Sequence, residues 1–242
     1  MEAAEIKQKL ATYAHENLDA VGCDLSFAVD GKPSLSMGEK IAVTPVGDLT
    51  QAHRSRGTYP VQICFPMVAQ FTLALWGVDE GAAQMLTGLV QMLQPHVVLE
   101  TGTSAGRSTR ALAEGLVVNG KGHLWTVDMC DYHIHQSGAL RGDEKEVVSQ
   151  VIGTIPAIFT AFPLSDLKDI DLAFLDASHA ASGLQAELAY VEQHRAPECW
   201  VLVDNARDPG WPELEQYFKD YRTYPHINLE TMCGMELIWM KD

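Results

Sequence analysis

The sequence predicts an α/β domain, with a mostly parallel sheet that carries helices and ends in an antiparallel hairpin. From Val97 onward, short apolar runs of strand length alternate with helical stretches, which is the pattern of βαβ units. The last two apolar runs are separated by too few residues for a crossover helix, so they are expected to pair as a hairpin. The 242 residues are 47% hydrophobic, which is enough to bury one sizeable core.

The predicted elements follow one another in a regular order. Ile6, Leu10 and Tyr13 fall near helical spacing, and Asp79 caps a second helix whose apolar stripe ends at Pro95. Strands are then expected at residues 97–100, 124–128, 157–161, 171–176, 200–204, 227–232 and 235–240. Further helices are expected at residues 108–116, 143–152 and 183–194, and from Pro212 onward.

Composition and charge exclude several classes of function. Seventeen basic and 32 acidic residues give a formal net charge of −15, so most of the surface would repel nucleic acids and anionic membranes. The five cysteines lack the spacing of a disulfide framework or a zinc site, and we expect them to be reduced and buried. The chain shows neither a signal peptide nor a membrane-spanning run. We therefore expect a cytoplasmic protein.

A turn rich in small residues joins the first strand of the sheet to the next helix. Glycine lets a ligand approach the backbone, and a helix N-terminus offers unpaired N–H groups to an anionic group. The following strand ends in Asp128, whose carboxylate could accept both hydroxyls of a ribose. Taken alone, Asp128 is more simply explained as a helix cap or an exposed loop acid. The turn lacks G-x-G-x-x-G, which disfavours a nicotinamide dinucleotide and favours a nucleoside without pyrophosphate. It reads Glu100-Thr101-Gly102-Thr103-Ser104-Ala105-Gly106-Arg107-Ser108.

Polar side chains also follow two later strands. Asp176 closes one strand, and Asp204 with Asn205 closes another. If these strands are neighbours, their ends lie about 4.8 Å apart, so two carboxylates and one amide oxygen converge. Either aspartate alone could simply cap a helix, but the three together favour Mg²⁺, with Mn²⁺ or Ca²⁺ as alternatives. His179, three residues after Asp176, is placed to take a proton from a hydroxyl, although a lone loop histidine can also be merely solvated.

These residues resemble the class I S-adenosylmethionine-dependent methyltransferases, and within them the metal-dependent branch typified by catechol and caffeoyl-CoA O-methyltransferase. The resemblance rests on the E-x-G-x-x-x-G-x-S turn, on Asp128, on Asp176 with Asp204-Asn205, and on the terminal hairpin. It implies a Rossmann-like, doubly wound sheet of seven strands. Where catechol-type enzymes carry a lysine base, this chain has His179. That D-x-x-H run is more similar to methyltransferases acting on sugars and antibiotic precursors.

The resemblance implies a role for each of these side chains. S-adenosylmethionine would be the methyl donor, and Mg²⁺ (or Mn²⁺ or Ca²⁺) would be held by Asp176, Asp204 and Asn205. His179 would be the catalytic base, and the acceptor would be a hydroxylated small molecule that chelates the metal. The turn would bind the methionine arm, Asp128 the ribose and Met129 the adenine. The implied cofactor-binding residues are thus Glu100, Gly102, Ser104, Gly106, Ser108, Asp128 and Met129.

The N-terminal third of the chain lies outside the resemblance. We expect residues 1–77 to form an extension that acts as a substrate cap, a homodimer contact or both, and residues 78–242 to form the cofactor-binding domain. Residues 53–57 make a small basic island in this acidic chain. A solvated loop accounts for it more simply than contact with an anionic substrate.

The same turn also permits a different class of function. Gly102-x-Ser104-x-Gly106 matches the G-x-S-x-G nucleophile elbow of α/β-hydrolases, and Asp204 and His226 follow in the order Ser, Asp, His. However, no H-G-G-G-like oxyanion segment precedes Ser104, so a serine esterase is the less favoured alternative. A binding protein that keeps the fold without turnover is a third alternative. Ligand-type residues at all three strand ends argue against it.

Overall fold

Seven strands form the central sheet of the protein. The structure is a computed structural model, and it describes residues 2–18, 23–27, 33–37, 78–229, 231 and 233–242. The first five strands of the sheet in spatial order run parallel, and the last two form an antiparallel hairpin. The predicted fold class is therefore confirmed. After an N-terminal hairpin of β1 (Cys23–Phe27) and β2 (Pro33–Met37), the sheet strands are β3 (Val97–Thr101), β4 (His123–Asp128), β5 (Val148–Ile152), β6 (Ile170–Leu175), β7 (Arg195–Val203), β8 (His226–Leu229) and β9 (Met235–Lys241), ordered β5-β4-β3-β6-β7-β9-β8.

Helices cover both faces of this sheet. Side chains alternate between the faces of a strand, so Leu172 and Phe174 of β6 join one apolar cluster while Ala173 and Leu175 join the other. The first cluster includes the buried residues of the first three helices, and the second includes those of the last two. The helices are α1 (Glu2–Leu18), α2 (Glu80–Leu93), α3 (Arg107–Asn119), α4 (Ala181–His194) and α5 (Pro212–Asp220).

The helix boundaries agree with the capping signals in the sequence. The Asp79 carboxylate accepts a hydrogen bond from the backbone N–H of Ala82 at 2.9 Å, which satisfies an otherwise unpaired donor of the first turn of α2. Pro212 stands in the first turn of α5, as predicted. In α1, Ile6 and Leu10 are fully buried in the first apolar cluster, so this part of the N-terminal extension packs against the sheet.

Two predicted elements on one edge of the sheet are wrong. Residues 143–152 were expected to be helical, but they form a 3₁₀ turn (Gly142–Val147) followed by the edge strand β5. Residues 157–161 were expected to form a strand, but they contain a 3₁₀ turn (Ala157–Thr160). The spacing of Val147, Val148, Val151 and Ile152 mimics a helical stripe, but β-branched residues favour a strand, and pairing with β4 stabilises it.

Several other expectations can be compared with the structure. No helix in the described ranges is long and apolar enough to cross a bilayer. Cys199 is buried, but Cys130 is exposed, so the expectation that all cysteines are buried is wrong. Cys64 and the basic island at residues 53–57 lie outside the described residues, as does most of the extension beyond β2.

The contact between α2 and α3 generates a prediction about stability. A Cβ atom added to Gly115 of α3 would stand 2.6 Å from the Cβ of Val90 and 2.9 Å from the carbonyl oxygen of Thr87. Alanine favours a helix by about 1 kcal/mol over glycine, but overpacking costs about 1–3 kcal/mol. We expect Gly115→Ala to lower the melting temperature and the exposed Val118→Ala on the same helix to leave it nearly unchanged. A higher melting temperature for Gly115→Ala would contradict this packing.

Candidate functional site

The glycine-rich turn after β3 is held against the ends of two neighbouring strands. The Gly102 N–H donates to the carbonyl oxygen of Val127 at 2.8 Å. A Cβ on Gly102 would stand 2.5 Å from the carbonyl oxygen of Asp176, and its φ is +90°, so a side chain there would both clash and be strained. Ser104 and Gly106 also have positive φ, at 44° and 82°. The turn therefore lies directly against the residue that ends β6.

Asp128 is tied to this turn by backbone hydrogen bonds. Its Oδ2 accepts from the N–H of Ser104 at 2.9 Å, and its Oδ1 accepts from the N–H of Cys130 at 3.0 Å. Met129 follows and is 68% exposed. Each carboxylate oxygen keeps acceptor capacity beyond these two bonds, so the acid and the apolar side chain are available to a ligand.

Glu100 is a fully buried acid at the base of the turn. Its Oε2 accepts from the hydroxyl of Thr109 at 2.6 Å, while its Oε1 has no hydrogen-bond partner among the described residues. Burial raises the pKa of Glu100 from 4.5 to about 7, against the opposing effect of the Ser108, Thr109 and Thr126 hydroxyls. A cationic group bound in this turn would stabilise the ionised carboxylate.

Asp176, Asp204 and Asn205 come together where β6 and β7 end. The Asn205 amide nitrogen Nδ2 donates to Asp176 Oδ1 at 3.0 Å and lies 3.4 Å from Asp204 Oδ2. The sequence predicted three converging oxygens, whereas here the amide presents its nitrogen to the acids. Among the described residues, no three His, Cys, Asp or Glu side chains are arranged to hold a metal ion.

The two acids of this cluster are buried close to each other. Burial raises the pKa of Asp204 well above its usual range, and the charge of Asp176 raises it further. Burial also raises the pKa of Asp176, while His179 and Asn205 oppose the effect. Two like charges in a buried site favour either protonation or the binding of a cation. The cluster is therefore electrostatically suited to a cationic ligand.

His179 completes the cluster from the loop before α4. Its Nε2 accepts a hydrogen bond from Asn205 Nδ2 at 3.0 Å and lies 3.7 Å from Asp176 Oδ1. Its ring stacks on Trp211, with centroids 4.7 Å apart and an angle of 16° between the planes. Trp211 is 44% exposed, so the stack borders solvent beside the acids. Sequence reasoning missed Trp211, since no spacing links it to His179.

Sequence reasoning also missed Glu187. This residue is 1% exposed on α4, and burial raises its pKa to about 7. The nearby Thr101 hydroxyl and His179 lower this pKa, while Asp176 raises it. A sequence signal existed, because Glu187 interrupts the apolar stripe of Leu184, Leu188 and Val191, all of which are buried.

The side chains proposed for a serine esterase are not assembled. His226 pairs with Glu236, with Nδ1 and Oε2 3.0 Å apart, and Asp204 lies with Asp176 and Asn205. The sheet order separates β8, which carries His226, from β3, which leads to Ser104, by four strand spacings, or about 19 Å. The hydrolase alternative is therefore not supported by the structure.

Glu100 generates a prediction about the pH dependence of folding. Its raised pKa means that the folded state holds the proton more tightly than the unfolded state. The contribution of Glu100 to the free energy of unfolding is therefore fully present below about pH 4.5 and is lost as the pH rises through 7. We expect Glu100→Gln to remove up to about 3 kcal/mol of this loss in the ligand-free protein. Urea denaturation at pH 5 and at pH 8 measures the difference in the free energy of unfolding between the two pH values. The exposed Glu146→Gln variant is the control and should keep the wild-type pH dependence. If Glu100→Gln also keeps the wild-type pH dependence, Glu100 does not have a raised pKa in the folded protein.

Comparisons with known proteins agree with this geometry. Residues 99–206 match a family model described as a methyltransferase domain, a segment that runs from β3 through Asn205. A comparison with curated proteins found no match. Solved structures provide the remaining evidence.

Three of these solved structures are methyltransferases. The O-methyltransferase TomG from Streptomyces achromogenes, involved in tomaymycin synthesis and solved with SAM, is 19% identical, with a TM-score of 0.55 over 84% of this chain and 93% of that chain. An O-methyltransferase from Bacillus cereus, in complex with SAH, is 16% identical, with a TM-score of 0.53 over 84% and 93% of the two chains. SAH-bound PaMTH1 from Podospora anserina is 17% identical, with a TM-score of 0.53 over 68% and 80%.

At these identities the structural likeness shows a shared fold, and the family model adds the type of domain. Both agree with the class I methyltransferase resemblance stated from the sequence, while the metal-dependent branch stays a prediction. Residues 99–206 of this chain match a methyltransferase domain, and the chain shares its fold with solved O-methyltransferases.

Proposed function

We propose that the protein transfers a methyl group from S-adenosylmethionine to a hydroxyl oxygen of a small molecule, in a reaction that requires a divalent cation. One observation carries the proposal. The glycine-rich turn packs directly on Asp176, since a Cβ on Gly102 would stand 2.5 Å from its carbonyl oxygen. A donor bound at the turn and a cation bound at Asp176, Asp204 and Asn205 would thus be neighbours.

The residues at the turn suit S-adenosylmethionine chemically. Asp128 offers a carboxylate to the ribose hydroxyls, and the exposed Met129 offers an apolar surface to the adenine. The unpartnered Oε1 of Glu100 supports binding of the cationic amino group of the methionine arm. The SAM and SAH bound to TomG and to the Bacillus cereus enzyme support the same donor. The proposed cofactor-binding residues are Glu100, Gly102, Ser104, Gly106, Ser108, Asp128 and Met129.

The acid cluster also suits a divalent cation such as Mg²⁺. Two buried carboxylates and an amide form a hard oxygen donor set once the Asn205 amide turns to present Oδ1 in place of Nδ2. Burial raises the pKa of Asp176 and of Asp204, and a bound cation would favour the ionised form of both acids, which supports cation binding. When bound, the cation would orient two adjacent acceptor oxygens and stabilise the acceptor as its anion.

His179 is proposed to take the proton of the acceptor hydroxyl. With S-adenosylmethionine bound at the turn, that oxygen would accept the methyl group, so that an O–C bond would form as the C–S bond of the sulfonium breaks. His179 stands next to Asp176, and its stack on Trp211 limits the orientations of the ring. The protein thus contributes alignment, a proton acceptor and an acidic environment that attracts the cationic donor.

The nature of the acceptor and the role of the extension follow from the same argument. The net charge of −15 favours a small hydroxylated acceptor over nucleic acid. Residues 1–77 are proposed to cap the acceptor site or to form a homodimer contact beside the domain of residues 78–242.

The metal requirement can be tested with Asp204→Ala. This variant should lose metal-dependent turnover by about a hundredfold or more and should bind S-adenosylmethionine with nearly wild-type affinity. Product S-adenosylhomocysteine is measured with a panel of diols and catechols, with and without EDTA. The exposed Glu213→Ala serves as the matched control. Equal wild-type activity with and without the chelator would exclude the metal requirement.

The proposed base can be tested with His179→Gln. Loss of a general base lowers kcat by about 10²–10⁴-fold, and S-adenosylmethionine affinity by calorimetry should stay the same. The residual rate should increase with pH, because the acceptor then ionises without the base. His96→Gln, at the opposite end of β3, is the control. A variant that keeps wild-type kcat would remove His179 from the mechanism.

A further inference from the structure

Asp204 and Asn205 are consecutive in the chain, yet their side chains meet at the same point. In an extended strand, successive side chains point to opposite faces of the sheet. Here the Asn205 amide nitrogen lies 3.4 Å from Asp204 Oδ2 and 3.0 Å from Asp176 Oδ1. The backbone of Asn205 is left-handed, with a φ of 58°, a conformation that is uncommon outside glycine. Such a backbone persists only where the surrounding structure stabilises it.

The C-terminal hairpin of β8 and β9 contacts the chain directly after Asn205. The N–H of Ala206 donates to the carbonyl oxygen of Gly234 at 3.0 Å, and the N–H of Arg207 donates to the carbonyl oxygen of Cys233 at 2.9 Å. Both acceptors belong to the two residues that precede β9. These bonds hold the backbone of the segment that follows Asn205.

One extra residue on the β7 side separates these bonds from the regular pairing of β7 with β9. That pairing ends with Val203 opposite Glu236. Between this pair and the next hydrogen bond joining the two segments, the β7 side contains Asp204 and Asn205, whereas the β9 side contains only Met235. An extra residue of this kind is typical of a β-bulge, which bends a strand and redirects a side chain. The bulge explains how two consecutive side chains reach one point.

Gly234 permits the close contact that follows the bulge. Its φ is +69°, and a Cβ atom there would stand 2.7 Å from the Cβ of Arg207 and 3.1 Å from the backbone nitrogen of Arg207. Because neither atom belongs to a flexible side-chain end, a residue with a Cβ fits only if one of the two segments moves. Asn205 is joined directly to the segment that would move. A side chain at position 234 is therefore expected to displace the Asn205 amide.

We propose that Gly234 is a positioning residue for the cation site. It lets the turn before β9 hold the segment after Asn205, and this contact keeps the Asn205 amide beside Asp176 and Asp204. Gly234 itself does not contact the ion. The inference rests on the proposed function, because it assumes that these three residues bind the cation. It gives the C-terminal hairpin a role at the site although the hairpin lies outside the proposed ligand set.

Gly234→Ala tests the inference. Mn²⁺ binding to the full-length protein is measured by calorimetry. We expect the variant to bind Mn²⁺ about tenfold or more weakly, the loss typical of disturbing a residue that orients a metal ligand. S-adenosylmethionine affinity should change little, because the glycine-rich turn after β3 does not contact the displaced segment.

Gly120→Ala is the matched control. Gly120 follows α3 with a φ of +64°, and among the described residues a Cβ there would meet no heavy atom within 4 Å beyond its chain neighbours. This variant has the backbone strain of Gly234→Ala without its clash, so its melting temperature should fall while Mn²⁺ affinity stays at the wild-type value. If Gly234 only stabilises the fold, Gly234→Ala should show the same pattern as this control.

Two further variants separate the clash from the backbone strain. Gly234→Asn adds the same Cβ but accepts a left-handed backbone more readily than alanine does, so it should fold better and still bind Mn²⁺ weakly. Adding Arg207→Gly to Gly234→Ala removes the Cβ with which the new side chain clashes. Mn²⁺ affinity should then recover toward that of Arg207→Gly alone. A double variant that binds Mn²⁺ as weakly as Gly234→Ala would contradict the role of this contact.

The results distinguish this inference from the proposal beneath it. If the wild-type protein binds no Mn²⁺, both the metal requirement and the role of Gly234 are overturned. If the wild type binds Mn²⁺ and both substitutions at Gly234 leave its affinity unchanged, only the role of Gly234 is overturned. Weaker binding in both variants, together with wild-type binding in Gly120→Ala, supports the inference.

Discussion

The site depends on the close approach of Gly102 to the backbone of Asp176. These residues follow β3 and β6, which are adjacent parallel strands, so the sheet brings the two chain segments together. A Cβ on Gly102 would stand 2.5 Å from the Asp176 carbonyl oxygen, which no side chain can tolerate without moving the backbone. Because that contact is possible only for glycine, the glycine-rich turn after β3 lies directly against the acid cluster.

Buried negative charge is the second property that organises this edge of the sheet. Glu100, Glu187 and Asp204 are buried and Asp176 is mostly buried, and the pKa of each is raised, mainly by burial. Such an arrangement destabilises an empty protein and is favourable once cations are bound. Both proposed ligands, a sulfonium donor and a divalent metal, carry positive charge. If the proposed ligands bind there, folding stability and ligand binding are coupled through the same side chains.

The elements that could be predicted are those with a single strong local signal. The buried strands β3, β4, β6 and β7 are short apolar runs that end in polar residues, and α2 carries both a capping aspartate and a terminating proline. The errors lie at β5, an edge strand that is only partly buried. Its apolar residues are spaced like those of a helix, so local periodicity alone could not decide between the two structures.

The sequence by itself determined the α/β class, the glycine-rich turn and the acids that end β4, β6 and β7. These depend on local periodicity, and acids at the carboxyl ends of parallel strands necessarily share one edge of the sheet. Only the tertiary structure decided that Asn205 presents its nitrogen to Asp176, that Trp211 stacks on His179, and that Glu187 is buried. These contacts join separate elements whose relative orientation is determined by packing across the sheet, which no local pattern encodes.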